Sequence, residues 1–211
     1  MAWTNSTLTE AIKDYLQEEE ASFVANIPIF IQQCEDRINK EVILPANRKN
    51  GTVTITNAVA TASLPSDFLA PFELRMVVSN VYSPVDYVDV SLIREAYPTS
   101  TTTGTPRWYS MYDASTIILG PTPGSGFSGW LNYFYKPVSI TTGVATWLGT
   151  NAEDCLLYGA LSEGYVYLKG EPDLQQLYEN RFLSELAKLR RLGEGMDLGD
   201  AARMGERRVQ R

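Results

Sequence analysis

A chain of 211 residues with 44% hydrophobic and 20% charged side chains has the balance of a globular protein, and it is long enough to bury a core without disulfides or metals. A net charge of −7 argues against a protein that binds nucleic acid over its whole surface. The absence of histidine excludes Ser-His and Cys-His dyads and imidazole-ligated metal sites.

The charge is unevenly placed. Seven basic and four acidic side chains from Lys188 onward leave that end at +3 and the remainder at −10, an acidic body with a basic arm. Cys34 and Cys155 each fall within an amphipathic helical pattern, which predicts two buried reduced thiols. The first residues carry no basic-then-apolar leader pattern, and no apolar run approaches the ~20 residues of a membrane span. The expectation is a soluble protein made in the cytoplasm of its host, with no membrane partner.

The first predicted helix opens on a capping box, with Thr7 as cap and Glu10 three residues on. Leu8, Ala11, Ile12, Tyr15 and Leu16 give it one apolar face, and Glu18, Glu19 and Glu20 read as its solvated end. The second is expected from Asn26, with Pro28 in its first turn and a seam of Ile27, Ile31, Cys34, Ile38 and Val42. Leu44-Pro45 ends it.

From residue 52 to about 136 the period becomes two. Residues 52–56 form a strand with 61–64 as its expected hairpin partner, and 73–79 and 81–88 are further strands. Ser91 caps a short helix through Ala96, and residues 99–106 form a threonine-rich loop. Residues 107–112, 116–119 and 130–135 read as three antiparallel strands joined by turns. The helical period returns at Asn151, a predicted cap, with a stripe of Leu157, Leu161, Tyr165 and Leu168 closed by Gly170. Pro172 opens the next helix, whose stripe is Leu174, Tyr178, Phe182, Leu186 and Leu189, and Gly193 and Gly195 are expected to stop it.

The fold class predicted is α+β: an antiparallel four-helix bundle (1–50 and 146–193) with an inserted antiparallel β-rich domain (51–145) and an extended C-terminal arm (194–211).

Little in the chain points to chemistry. Gly124-Ser-Gly126-Phe-Ser-Gly129 matches a dinucleotide motif, but an aromatic strand follows it where a helix is required. Asn5-Ser6-Thr7 matches a glycosylation sequon and serves equally as a helix start. Asp67, Asp86, Asp89 and Asp113 fall in predicted turns and strand ends, where aspartate serves the backbone. Trp108, Tyr109, Tyr112, Trp130, Tyr133 and Tyr135 suit either core and subunit contacts or a sugar-stacking platform. No catalytic, cofactor-binding or metal-binding residue is predicted. In the basic arm, Arg203, Met204, Arg207, Arg208, Val209 and Arg211 alternate arginine forks with apolar side chains, a composition suited to ordering on a protein partner.

The order of motifs carries a resemblance. Leu64-Pro-Ser-Asp-Phe68 is followed by Gly104-Thr-Pro-Arg-Trp-Tyr109, Ile117-Ile-Leu-Gly-Pro121, Tyr135-Lys136-Pro137, Trp147-Leu148, Leu156-Leu-Tyr-Gly-Ala160 and Tyr167-Leu168. This succession resembles the adaptor (head-to-tail connector) proteins of tailed bacteriophages, from about Leu8 to Leu192. The resemblance implies a structural protein of the virion neck or tail and not an enzyme. It further implies a homo-oligomeric ring, usually of twelve copies, with the portal protein on one side and tail nozzle or tube proteins on the other. Genomic DNA would pass through the ring at ejection without sequence-specific binding. Family members grip the portal with C-terminal arms, which gives Arg203, Met204, Arg207, Arg208, Val209 and Arg211 that expected role. The rival readings are another tail-tube, nozzle or neck subunit, a glycan-binding module on Trp108 and Trp130, and a carboxylate-dependent hydrolase.

Overall fold

The computed structural model describes residues 2–203, with side chains through Met196. In chain order the elements are α1 (Asn5–Leu16), α2 (Ala21–Glu41), a 3₁₀ turn (Pro45–Asn47), β1 (Arg48–Ile55), β2 (Thr61–Ser63), β3 (Phe68–Val78), β4 (Val81–Tyr87), α3 (Val90–Ala96), β5 (Thr103–Gly104), β6 (Trp108–Asp113), β7 (Thr116–Gly120), β8 (Thr122–Pro123), β9 (Phe127–Tyr135), a second 3₁₀ turn (Ile140–Thr142), α4 (Trp147–Asn151), α5 (Glu153–Tyr167) and α6 (Pro172–Arg203). Two compact units divide the chain: Met1–Ala46 with Pro137–Arg211, and Asn47–Lys136. No helix among the described residues is long and apolar enough to cross a membrane.

In the helical unit, Leu8 and Ile12 of α1, Phe23, Ile27, Ile31, Cys34 and Ile38 of α2, and Phe182, Leu186 and Leu189 of α6 close around α5. The stripe read for α5 understates its burial. Cys155, Leu156, Leu157, Gly159, Ala160, Leu161, Ser162 and Gly164 are all buried, so this helix is covered nearly all round. Gly159 marks the closest approach: a Cβ there would sit 2.2 Å from the Cys34 Sγ and 2.8 Å from the Phe182 ring.

The β unit is one mixed seven-stranded sheet in the order β1-β9-β3-β4-β6-β7-β2, with a small β5-β8 pair beside it. The two edge strands, β1 and β2, follow each other in sequence and lie against each other, so the sheet is nearly closed. Val53, Ile55, Leu74, Met76, Val85, Tyr109, Ile117, Leu119, Leu131 and Tyr133 fill its interior. Residues between them in each strand point outward.

The predicted four-helix bundle with an inserted antiparallel domain and an extended arm is not what forms. Six α-helices are present among the described residues, and the sheet is mixed: β4 and β6 pair in parallel, Asp86 with Trp108 and Tyr87 with Tyr109. The cause is the connection, since α3 lies between β4 and β6 and parallel neighbours need such a crossover. The 52–56 strand pairs with β9 instead of 61–63, which pairs with β7. β9 lies between β1 and β3, so it is not the third member of a β6-β7 meander. The helix expected to stop at Gly193 and Gly195 runs on to Arg203, where an extended arm was anticipated. Gly193 is there for space: a Cβ would meet the Ile43 carbonyl at 2.8 Å.

Helix starts also move. Thr4, not Thr7, caps α1; its side chain accepts from the Thr7 amide while Thr7 bonds back to the Thr4 backbone. α2 begins at Ala21, which places Pro28 in the helix interior. Asp89 caps α3 in place of Ser91, and Thr146 caps α4, a five-residue helix too short to show a period in the sequence.

Candidate functional site

The carboxylates singled out in the sequence are occupied by the backbone and by neighbouring side chains. The Asp89 carboxylate accepts from the Ser91 amide and hydroxyl at 2.7 and 2.5 Å, and these bonds lower its pKa. Asp113 accepts from the Ser115 amide at 2.7 Å and hydroxyl at 3.0 Å, and its pKa is likewise lowered. Asp67 accepts from the Lys49 ammonium at 2.6 Å and the Tyr133 hydroxyl at 2.8 Å. The lysine bond first, then the tyrosine bond, hold its carboxyl below the usual range. Leu64-Pro-Ser-Asp-Phe68 is therefore a loop pinned to β1 and β9 through Asp67. Asp86 lies on the exposed side of β4. None of these four carboxylates is brought onto another, and no group of acidic or thiol side chains among the described residues is arranged to hold a metal ion.

The glycine motif spans a turn and the start of a strand. Gly129 lies inside β9, where a Cβ would meet Ile55 Cδ1 at 3.2 Å and the Val53 carbonyl at 3.3 Å. A phosphate site there would need a helix N-terminus, and β9 takes that position.

The six aromatics do not form one platform. Tyr109 is in the core, with burial pushing its pKa up to about 12, and Tyr133 is buried in the same core. Trp108 packs on Tyr97 at 5.8 Å, and Tyr135 packs against the sheet core. Tyr112 is exposed near Arg94, whose guanidinium lies 5.9 Å from the ring. Trp130 stands on the outward face of β9 with Tyr82 of β4 edge-on at 5.6 Å. Phe72 and Phe134 form a second edge-on pair at 6.0 Å, with Arg48 4.1 Å over the Phe72 ring. The sequence reading missed Phe72 and Tyr82 as exposed groups and Phe134 as a half-buried one beside them. Their outward phase becomes visible only once the neighbours of β9 are known.

The helical unit holds a polar cluster that was also missed. Arg37 of α2 donates to Glu163 of α5 at 2.9 Å and to Glu179 of α6 at 2.5 Å, and Ser162 donates to Glu179 at 2.8 Å. The guanidinium also lies 4.5 Å over the Phe182 ring. This cluster ties three helices together.

Of the predicted arm, Arg203 is the last residue of α6, and Met204, Arg207, Arg208, Val209 and Arg211 lie outside the described residues. A family model described as SU10 adaptor protein matches residues 4–210. The chain belongs to that family, one of phage structural adaptors. No curated protein matches the chain.

Proposed function

We propose that this protein forms a homo-oligomeric ring of twelve copies in the virion neck, joining the portal protein to the tail nozzle or tube and continuing the channel through which DNA leaves the capsid. The observation that carries this reading is family membership over nearly the whole chain. The charge distribution supports it. An acidic body repels phosphates that a channel must let slide, because phosphate contacts dominate affinity for DNA. The basic end, with Arg203, Met204, Arg207, Arg208, Val209 and Arg211, grips the portal through arginine–carboxylate forks and apolar contacts.

Native mass spectrometry of the full chain, alone and with its purified portal, tests the reading. A complex with one adaptor per portal subunit is the expected result, and a chain that ignores portal overturns it. Removing residues 204–211 is expected to weaken portal binding at least ~10-fold, the loss typical of a few central interface side chains. Undiminished binding by the shortened chain would remove the arm from the portal contact and leave the ring unaffected.

A further inference from the structure

Between β9 and α4 the chain forms no regular element except the second 3₁₀ turn, which rests on α2 and α1. Across residues 136–146 only Ile140 is buried. Its side chain fills the space that Gly149 of α4 leaves, since a Cβ there would sit 2.8 Å from Ile140 Cδ1. The polar attachments are as few. The Glu35 carboxylate accepts from the Ile140 amide at 3.0 Å and from the Ser139 hydroxyl, and the Gln32 side-chain amide donates to the Thr141 hydroxyl at 3.0 Å. Glu35 and Gln32 are neighbours one turn apart on α2, so a single patch of that helix makes these attachments. Val138 on one side of the turn and Gly143, Val144 and Ala145 on the other are exposed. Residues 137–146 are thus a strap pinned at its middle.

The pin is a carboxylate with 6% of its surface exposed. Burial penalises a carboxylate when it is ionised and far less when it is neutral. The hydrogen bonds that Glu35 accepts oppose this penalty without cancelling it, so its pKa stays raised. The surrounding charges do not relieve it. Asp36, beside it on α2, acts in the same direction as burial. The turn brings Ser139, Ile140, Thr141 and Thr142, and α4 brings Trp147–Asn151, none of them charged. On α1, Lys13 is engaged by Glu10, with Asp14 and Glu19 also acting on it. When the strap lifts, water reaches the carboxylate and the penalty disappears. Ionisation therefore favours the lifted strap, and protonation favours the seated one.

We propose that the 137–146 strap opens locally from α2 while the rest of the helical unit stays folded, and that ionisation of Glu35 loosens it. Seated, the strap is fixed at Ile140. Lifted, it is a slack tether where the chain returns from the β unit into the helical unit. A segment held by one apolar side chain and a few hydrogen bonds yields before a packed core does. The latch stands apart from the ring reading and holds for the chain alone.

Hydrogen exchange of the full chain tests it, read by mass spectrometry on peptides covering residues 137–146 from pH 4.5 to about 8 and corrected for the intrinsic exchange rate. The strap amides are expected to exchange through an opening that peptides from α2 and α5 do not share. That opening should grow more populated as pH rises above 4.5, by up to ~10-fold per pH unit, and level off once the folded pKa of Glu35 is passed. Glu35→Gln keeps the acceptor without the charge, so its opening should be independent of pH and less populated than that of wild type at pH 7. Ile140→Val keeps Glu35 and weakens the plug. It should open the strap further at every pH with the wild-type pH dependence, and it carries the test if Glu35→Gln fails to fold. Strap amides that exchange only together with the core overturn the latch. An opening with the same pH dependence in wild type and Glu35→Gln, or one in Ile140→Val that does not vary with pH, overturns the role of the Glu35 charge.

Discussion

Gly159 stands where α2, α5 and α6 converge, with no room for a methyl group between the Cys34 thiol and the Phe182 ring. Replacing it by alanine inserts volume into a packed core, which costs about 1–3 kcal/mol. Chemical denaturation of Gly159→Ala should show that loss, and a Gly159→Ala, Cys34→Ala double variant should recover part of it. Glu35 illustrates a different constraint. It is 6% exposed and its carboxylate accepts from the Ile140 amide at 3.0 Å, fastening the second 3₁₀ turn to α2. Burial raises its pKa, and the hydrogen bonds from Ile140 and Ser139 only partly oppose this. With the folded value above the unfolded one, the charged form opposes folding at neutral pH. That penalty disappears as pH falls through the folded value towards 4.5. Glutamine keeps the acceptor and lacks the charge, so Glu35→Gln should gain on wild type at pH 7 and lose that advantage near pH 4.5. A constant difference between the two across that range would show that the carboxyl stays solvated.

Elements are held by contacts of defined direction. Arg37 links α2 to α5 and α6 through two carboxylates and the Phe182 ring, in a setting about one-third exposed. Charged hydrogen bonds of this kind contribute about 1.5–3 kcal/mol, and removing the cation leaves Glu163 and Glu179 facing each other. Arg37→Met should therefore destabilise by about 2 kcal/mol, more than Lys13→Met, which removes only a solvent-screened i,i+3 pair with Glu10. The same cluster responds to pH. Burial alone would raise Glu179, but the Arg37 and Ser162 bonds outweigh it and its pKa is lowered. Its stabilising contribution is complete above about 4.5 and is lost as pH falls through the lowered folded value. Urea titrations of wild type and Arg37→Met should converge over that acidic window, and parallel curves would show that Glu179 contributes nothing through its charge. Among the strands, α3 sets the direction of β6, which is why a unit rich in hairpins also contains one parallel pair.

The molecule carries an acidic body and a basic end, with Phe72, Tyr82, Tyr112 and Trp130 exposed on the β unit, and the proposed ring around a DNA channel would give that charge distribution a role. On this reading the body's charge is functional. Changing several exposed body carboxylates to lysine should make the protein retard duplex DNA in a salt-dependent way and slow genome ejection from assembled particles. Ejection at an unchanged rate, with lysines in place, would show that the channel wall lies elsewhere on the chain.

By itself the sequence determined where the long helices and most strands run, because their apolar side chains repeat with the period of the element that buries them. It also carried, in the order of its motifs, the adaptor resemblance that the family match bears out. Single residues in those motifs acquire their reasons only in three dimensions: Gly159 for a helix crossing, Asp67 for a pinned loop, Gly120 for the seat of α3. Strand partnership, the parallel β4-β6 pair, the near closure of the sheet and the outward phase of Phe72, Tyr82 and Phe134 were decided by tertiary structure alone. A strand's alternation says which side chains share a face, and which neighbours that face meets depends on contacts between residues far apart in the chain.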